Sequence, residues 1–494
     1  MSFEHGVVVN EQPTGVKPPV QISAGLPVYI GTAQVNAGDP TFVNKPGVFN
    51  TLEEAVAALG PIAPSSAWGE YTLHEAVKAH FSVYGVGPIV CINVLDPSND
   101  GHVQSATGQS HQLVKGKVKL QPYGGPDELQ LGIIKSSVVV KKGVTTMTLN
   151  TDYTLAFDDS GYLEVSIVSG GALSASDVIL VDFDYLDPSA VTSSTIIGGY
   201  DVDTDKYTGI EVVEQVFPRL RLVPGFLLAP KWSQVPTVAA ALNAKAPSIN
   251  GAFKAEELVD LSTDKGTIAT YSAAPTWKSD NGYTGAFQFV TWPLVKFGDD
   301  VYHASTIAAC VANLVDSARD GVPYASPSNQ AVDADAAVLD DGTEVLLTTP
   351  QANSLNAQGI ATILNTFNGW KLWGNRTGAY PDDTDPKNAF LPVRRMFNWM
   401  ENTIILTTQS FVDQPGNRRQ IDSVRGSIQS WLNNLIAVGA LVDGKIEFRS
   451  SENSTTDLSD GKITWHITAT PPSPNEQMVF NVEYDPAALA ALFQ

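Results

Sequence analysis

Two cysteines in 494 residues, Cys91 and Cys310, are too few for a disulfide-stapled scaffold. Both sit in apolar runs, at 89–94 and 307–311, which favours buried free thiols over a bridge. Charge is scarce as well, at 17% of residues. Positive charge is the scarcer kind, with 30 Lys+Arg against 52 Asp+Glu and a net charge of −22. Phosphate contacts need clustered Lys and Arg, so nucleic acid and anionic membrane surfaces are poor partners. No apolar run approaches the roughly 18 residues that a membrane span needs. Residues 1–6 lack the basic region and apolar core of a signal peptide, so a soluble product made in the cytoplasm is expected. Apolar residues are plentiful at 43%, a globular composition, and the length predicts two to four domains.

The pattern along the chain divides it. Residues 1–25 read as an arm, with the β-branched run Val7, Val8, Val9 followed by Pro13, Gly15, Pro18 and Pro19. An alternating region follows. A buried strand is predicted at 26–31, a helix capped by Thr51 with Glu53 and Glu54 in its first turn, a helix at 70–83 and a strand at 88–95. Between the loops at 96–101 and 187–189 the period changes to two. Leu163, Val165 and Ile167, then Ile179, Val181, Phe183 and Tyr185, alternate with mostly polar residues, which predicts an inserted antiparallel β module at 99–189. The αβ pattern resumes with helices at 209–217 and 234–246, a strand at 222–229 and an amphipathic helix at 301–318. A helix at 421–438 and strands around Ile446, Phe448 and around Ile463, Trp465, Ile467 read as a further α+β unit. Beyond the stiff 471–474 linker, Met478, Phe480, Val482 and Tyr484 form a strand pattern with no hairpin partner, and a short apolar helix is predicted at 487–493.

Motifs for chemistry fail on inspection. Gly461-Lys462 lacks the preceding glycine and the following Ser/Thr of a phosphate loop. Asp201, Asp203 and Asp205 begin like a calcium loop, but Lys206 stands where glycine is needed and Val212 where glutamate is needed. His74 and His80 are six apart, not the four that place two ligands on one helix face, and His303 and Ser305 point to different faces. No cofactor and no enzyme activity are expected. Arg394-Arg395 and Arg418-Arg419 with Arg425 are basic spots, read either as exposed charge and ion pairs or as a docking surface. Residues 151–210 carry eleven acids and one base, while 370–494 carry fourteen acids and eleven bases, a net of −3.

An orphan strand leaves its backbone N–H and C=O groups unpaired. Addition to another subunit's sheet satisfies them, and two such arms give head-to-tail contacts that close rings or grow helices. Packing of both arms on their own chain is the alternative.

At this point the residues carry a resemblance. The stretches 217–232 (FPRLRLVPGFLLAPKW), 305–329 (a helix running into DGVPYASPSN), 355–377 (LNAQGI…GWKLWGNRT), the RRMFNWMENT run from Arg394 and 471–485 (PPSPNEQMVFNVEYD) occur in the order found in contractile-tail sheath proteins. The chain resembles the sheath family of myophages and R-type tailocins.

The resemblance implies a subtilisin-like α/β core at 26–98 and 190–365. It also implies an outer β module at 99–189, a C-terminal sheath domain at 366–470 and arms at 1–25 and 471–494. The triad blocks of subtilisin are absent, so no protease activity carries over. The implied function is that of a structural subunit polymerising helically around a tail tube and contracting to drive the tube through a host envelope. The implied partners are copies of itself, the tail tube protein, and baseplate and tail terminator proteins, without nucleic acid or direct membrane insertion. The implied location is the virion tail, assembled in the host bacterial cytoplasm. Val7, Val8, Val9, Phe480, Val482 and Tyr484 would be the exchanged strands, with Ile446, Phe448, Ile463, Trp465 and Ile467 in the accepting strands. Arg418, Arg419 and Arg425 would face the tube. A hydrolase on the same core, or an acidic surface adhesin, are the alternatives.

Overall fold

A computed structural model describes residues 23–121 and 130–493. The first strand, β1 (Pro27–Gly31), is buried throughout because both faces of its sheet are covered. An eight-stranded sheet runs around it. The other strands are β2 (Gly47–Phe49), β3 (Ile89–Asn93), β4 (Phe226–Leu228), β5 (Glu256–Asp260), β6 (Gln288–Thr291), β7 (Ile360–Thr366) and β8 (Gly369–Trp373). Their spatial order is β2-β3-β1-β4-β5-β6-β7-β8. The six middle strands are parallel, with Val28 of β1 opposite Val90 on one side and Leu227 on the other. The edge strands β2 and β8 are antiparallel. A parallel sheet of this kind demands crossover connections, and the helices predicted from the sequence supply them.

Local rules set those helices. In α1 (Leu52–Leu59) the Thr51 side chain accepts the Glu54 N–H and Gly60, at positive φ, ends the helix. Then come α2 (Thr72–Lys78), α3 (Pro236–Lys245) and α4 (Ala304–Ser317). Successive residues of β5 face opposite ways. Leu258 joins a cluster with Ile307 and Val311 of α4, and Val259 joins a second cluster with Leu355 and Ile360.

The β5 sequence carries three acids into this core. Asp260 is satisfied: Thr291 Oγ1 donates to it at 2.8 Å and the Ser305 N–H at 2.9 Å, which caps the start of α4. Glu256 is not, since neither carboxyl oxygen has a hydrogen-bond partner among the described residues. Burial pushes its pKa up to about 8, against the opposing charges of Arg394 and Arg395. The folded state therefore holds a proton that the unfolded chain releases above about pH 4.5. This contribution to stability is complete below that pH and is lost as pH rises through about 8. Glu256→Gln should flatten the decline by about 1.4 kcal/mol per pH unit between roughly pH 5 and 8. Denaturant melts at several pH values test this, and parallel slopes for both proteins would refute it.

Residues 103–186 interrupt the sheet between β3 and β4. They form two antiparallel sheets, one of Val103–Gln112, Val178–Leu186, Val139–Lys142 and Thr145–Thr146, the other of Lys117–Lys119, Leu163–Ile167 and Tyr153–Phe157. Val140, Val165, Ile179, Val181 and Phe183 belong to a hydrophobic cluster of their own. The chain enters and leaves at one place, where the Asp187 N–H donates to the His102 carbonyl at 2.8 Å. The acidic stretch within it is partly neutralised in space. Lys117 pairs with Glu164, Lys119 with Asp158, Lys141 with Asp182 and Lys142 with Asp177. Those lysines precede residue 151, so a linear window missed them.

After β7 and β8 come α5 (Leu391–Thr408), α6 (Arg418–Ala437), β9 (Asp443–Glu447) and β10 (His466–Thr470). A division at 365/366 falls inside the β7–β8 hairpin, which pairs Thr366 with Gly369. No helix among the described residues is long and apolar enough to cross a membrane.

Candidate assembly surface

The C-terminal unit is built on two helices and a hairpin. Met396, Trp399 and Met400 of α5 pack on Val424, Ile428, Trp431 and Leu432 of α6, and Ile446 of β9 covers the same cluster. Arg394 and Arg395 fasten this unit to the core and are not a docking surface. Both are buried. Arg395 pairs with Asp316 of α4 and lies over the Phe226 ring at 4.5 Å. Arg394 donates to Asn398 Oδ1 at 3.1 Å and lies over Phe287 at 4.8 Å.

Arg418, Arg419 and Arg425 behave differently. All three are exposed, and Asp422 is the acid beside Arg418 (3.8 Å) and Arg425 (3.2 Å). Arg418 and Arg419 open α6, after the N-cap Asn417. Cations at a helix N-terminus oppose its dipole, so stability does not explain their position.

The accepting strands are shorter than their sequence pattern. β9 and β10 pair antiparallel, with Ile446 opposite Ile467. Phe448, Ile463 and Trp465 lie outside the ladder. Phe448 meets Trp465 edge-on with centroids 5.4 Å apart. The Asn453 side chain bonds both the N–H and the C=O of Thr464, at 2.8 and 2.9 Å, doing for that residue what a neighbouring strand would do. Trp465 and Ile467 pack against the α5–α6 cluster.

The C-terminal arm leaves β10 through 471–474. Its root is fixed where Arg376 Nε and Nη2 donate to the Glu476 carboxylate at 2.9 and 2.6 Å. The guanidinium is held over Tyr380 at 4.3 Å and Phe390 at 3.8 Å. Neither residue stands out in sequence; the only local signal is that Glu476 follows a proline-rich turn. Beyond it Phe480, Val482 and Tyr484 are 80%, 95% and 74% exposed and pair in no ladder among the described residues. Leu489 and Leu492 of the 3-10 turn Pro486–Phe493 are exposed as well. Val7, Val8 and Val9 lie outside the described residues.

Residue types suited to hydrolysis are differently employed. Ser305 Oγ is buried against the Asp260 carboxylate. His303 Nδ1 pairs with Glu75 at 2.7 Å. Burial opposes its charge, but Glu75 and Asp260 raise its pKa to about 9. Together Asp260 and Glu75 cap α4, since Glu75 also accepts the His303 N–H. His74 and His80 are buried and neutral, lowered to about 4 by desolvation. His80 bonds the Tyr29 hydroxyl at 2.7 Å and the Val86 carbonyl at 3.1 Å, which are packing roles. Asp201, Asp203 and Asp205 sit at a hairpin turn, where Asp201 accepts from the Asp203 N–H and from Thr204 Oγ1.

Residues 383–485, which include α5, α6, the hairpin and the exposed arm, match the family described as phage tail sheath C-terminal domain. Over a 501-residue alignment the chain is 27% identical to the tail sheath protein of Burkholderia phage BcepMu, across 98% of this chain and 97% of that one. Its fold matches the contracted sheath complex of an extracellular contractile injection system (PVC) at a TM-score of 0.59 and 16% identity, covering 99% of each chain. It matches the contracted helical sheath of the anti-feeding prophage at 0.58 and 15%, covering 98% of this chain and 100% of that one. The mixed α/β, multi-sheet architecture described above is thus shared with sheaths along the entire chain.

Proposed function

We infer that this chain is the structural subunit of a contractile tail sheath, a non-enzymatic protein that works by polymerising. The observation that carries the reading is a likeness to sheath proteins over 98–99% of the chain combined with an arm whose strand pattern has no partner among the described residues. Subunits stack helically around a tail tube, with baseplate and terminator proteins at the ends. The arms of one subunit, Phe480, Val482 and Tyr484 together with Val7, Val8 and Val9, add strands to the hairpin that holds Ile446 and Ile467 in another. Arg418, Arg419 and Arg425 face the tube. The core is arranged in the subtilisin-like manner without its chemistry, and 99–189 decorates the outside.

The extended sheath is metastable around its tube. On release, subunits move as rigid bodies and form new contacts of lower free energy, so no nucleotide is consumed. The exchanged strands keep neighbours at high effective concentration while other contacts break. Negative-stain electron microscopy of the purified protein should show hollow tubes. A sugar-binding monomer that never polymerises would favour the adhesin, and labelling of one serine by a fluorophosphonate would favour a hydrolase. Deleting 99–189 should leave tubes intact but thinner; loss of folding would show that the module is integral.

A further inference from the structure

The two edges of the acceptor hairpin are not equivalent. Gly444 is closely packed: an added Cβ would meet Leu432 of α6 at 3.4 Å and Leu441, just beyond that helix, at 3.2 Å. This brings the β9 backbone within reach of Gln429 on α6. Gln429 Nε2 donates to the Gly444 carbonyl at 3.0 Å, and the Ile446 N–H donates to Gln429 Oε1 at 3.1 Å. One side-chain amide thus fills a donor and an acceptor position that a neighbouring strand's peptide would fill. These bonds also fix the direction of the remaining groups. Gly444 and Ile446 point away from β10, so their partners Ala469 and Ile467 point away from β9. The outer edge of β10 presents those backbone groups without a side-chain surrogate among the described residues.

We propose that Gln429 is a surrogate strand that closes the β9 edge and directs an incoming strand, the 478–484 arm of a second copy of this chain, to β10 at Ile467 and Ala469. This rests on the strand-exchange reading and specifies which edge is used. Addition at β9 has to break two hydrogen bonds first, whereas addition at β10 breaks none. The same plug blunts an edge that would otherwise recruit strands indiscriminately.

Cross-linking tests it. Lys445 and Thr468 are opposite one another, exposed, one on each strand. If the apolar alternates of the arm face α6, Val479, Asn481 and Glu483 face outward beside them. Cysteine is placed at 479, 481 or 483 together with Thr468→Cys or Lys445→Cys, and filaments assembled under reducing conditions are then oxidised. The native Cys91 and Cys310 are buried and add little background. The 468 pairs should give intersubunit disulfides roughly tenfold or more above the 445 pairs. Adding Gln429→Ala should raise the 445 product. Equal or greater cross-linking at 445 with Gln429 present overturns the edge assignment alone. Filaments that cross-link at neither position overturn strand exchange by this arm as well.

Discussion

Truncation after Pro474 is expected to abolish filaments and leave soluble, folded monomers. Among the described residues, the polar contact that ties the removed segment to the core is the Arg376–Glu476 pair, a partly exposed contact worth about 1 kcal/mol or less. Melting of the truncated chain should therefore match the full chain within experimental error, while sedimentation and electron microscopy show no polymer. On the strand-exchange reading the expected effect on assembly is large, because each subunit would lose a whole strand's backbone bonds together with the burial of Phe480, Val482 and Tyr484 in its neighbour. Removing residues 1–20 should act similarly if that arm is also exchanged. Ordinary tubes from either truncation would refute strand exchange by that arm.

Arg395→Met is expected to cost about 3–5 kcal/mol of stability, the usual price of stranding one member of a buried ion pair. Arg395 joins α5 to Asp316 on α4, and both side chains are almost completely enclosed. Burial already raises the Asp316 pKa, opposed by Arg395. Without the guanidinium, Asp316 takes up a proton more readily, so the loss should be smaller at acid pH than at neutral pH. Asp316→Asn added to Arg395→Met should recover part of the loss, because no carboxylate remains to be stranded. Urea unfolding at two pH values checks both statements; a loss below about 1 kcal/mol at neutral pH would mean that the pair is not what fastens the C-terminal unit.

How far the sequence was readable followed the range of the interaction concerned. Thr51, Glu54 and Gly60 set the bounds of α1 by contacts within one turn, so that helix was evident. Gln429, Arg376 and Glu476 act on residues 15 to 100 positions away, and nothing nearby marks them. The Arg394-Arg395 doublet could be read as exposed charge, as ion pairs or as a docking surface, and nothing nearby chose among them because the Arg395 partner, Asp316, lies 79 residues earlier. The alternation of Ile463, Trp465 and Ile467 overran the real strand since Asn453 took the place of a partner at Thr464. The acidity of 151–210 was real in the chain but softened in space by lysines on adjacent strands. Three of its eleven acids, Asp201, Asp203 and Asp205, belong to a small hairpin outside the β module. What the acidic count described was therefore a stretch of chain, not a surface.

The clamp at Arg376 gives the arm a mechanical anchor point. Tension on a strand held by a neighbour passes along 477–484, roughly 26 Å when extended, and arrives at Glu476 before it reaches β10. From there it is transmitted through the stacked Tyr380 and Phe390 rings into the body of the subunit. On the strand-exchange reading, the pull meets this clamp before it meets the acceptor hairpin of the same subunit. If each subunit hauls one neighbour while gripping another, the two loads enter it at different places.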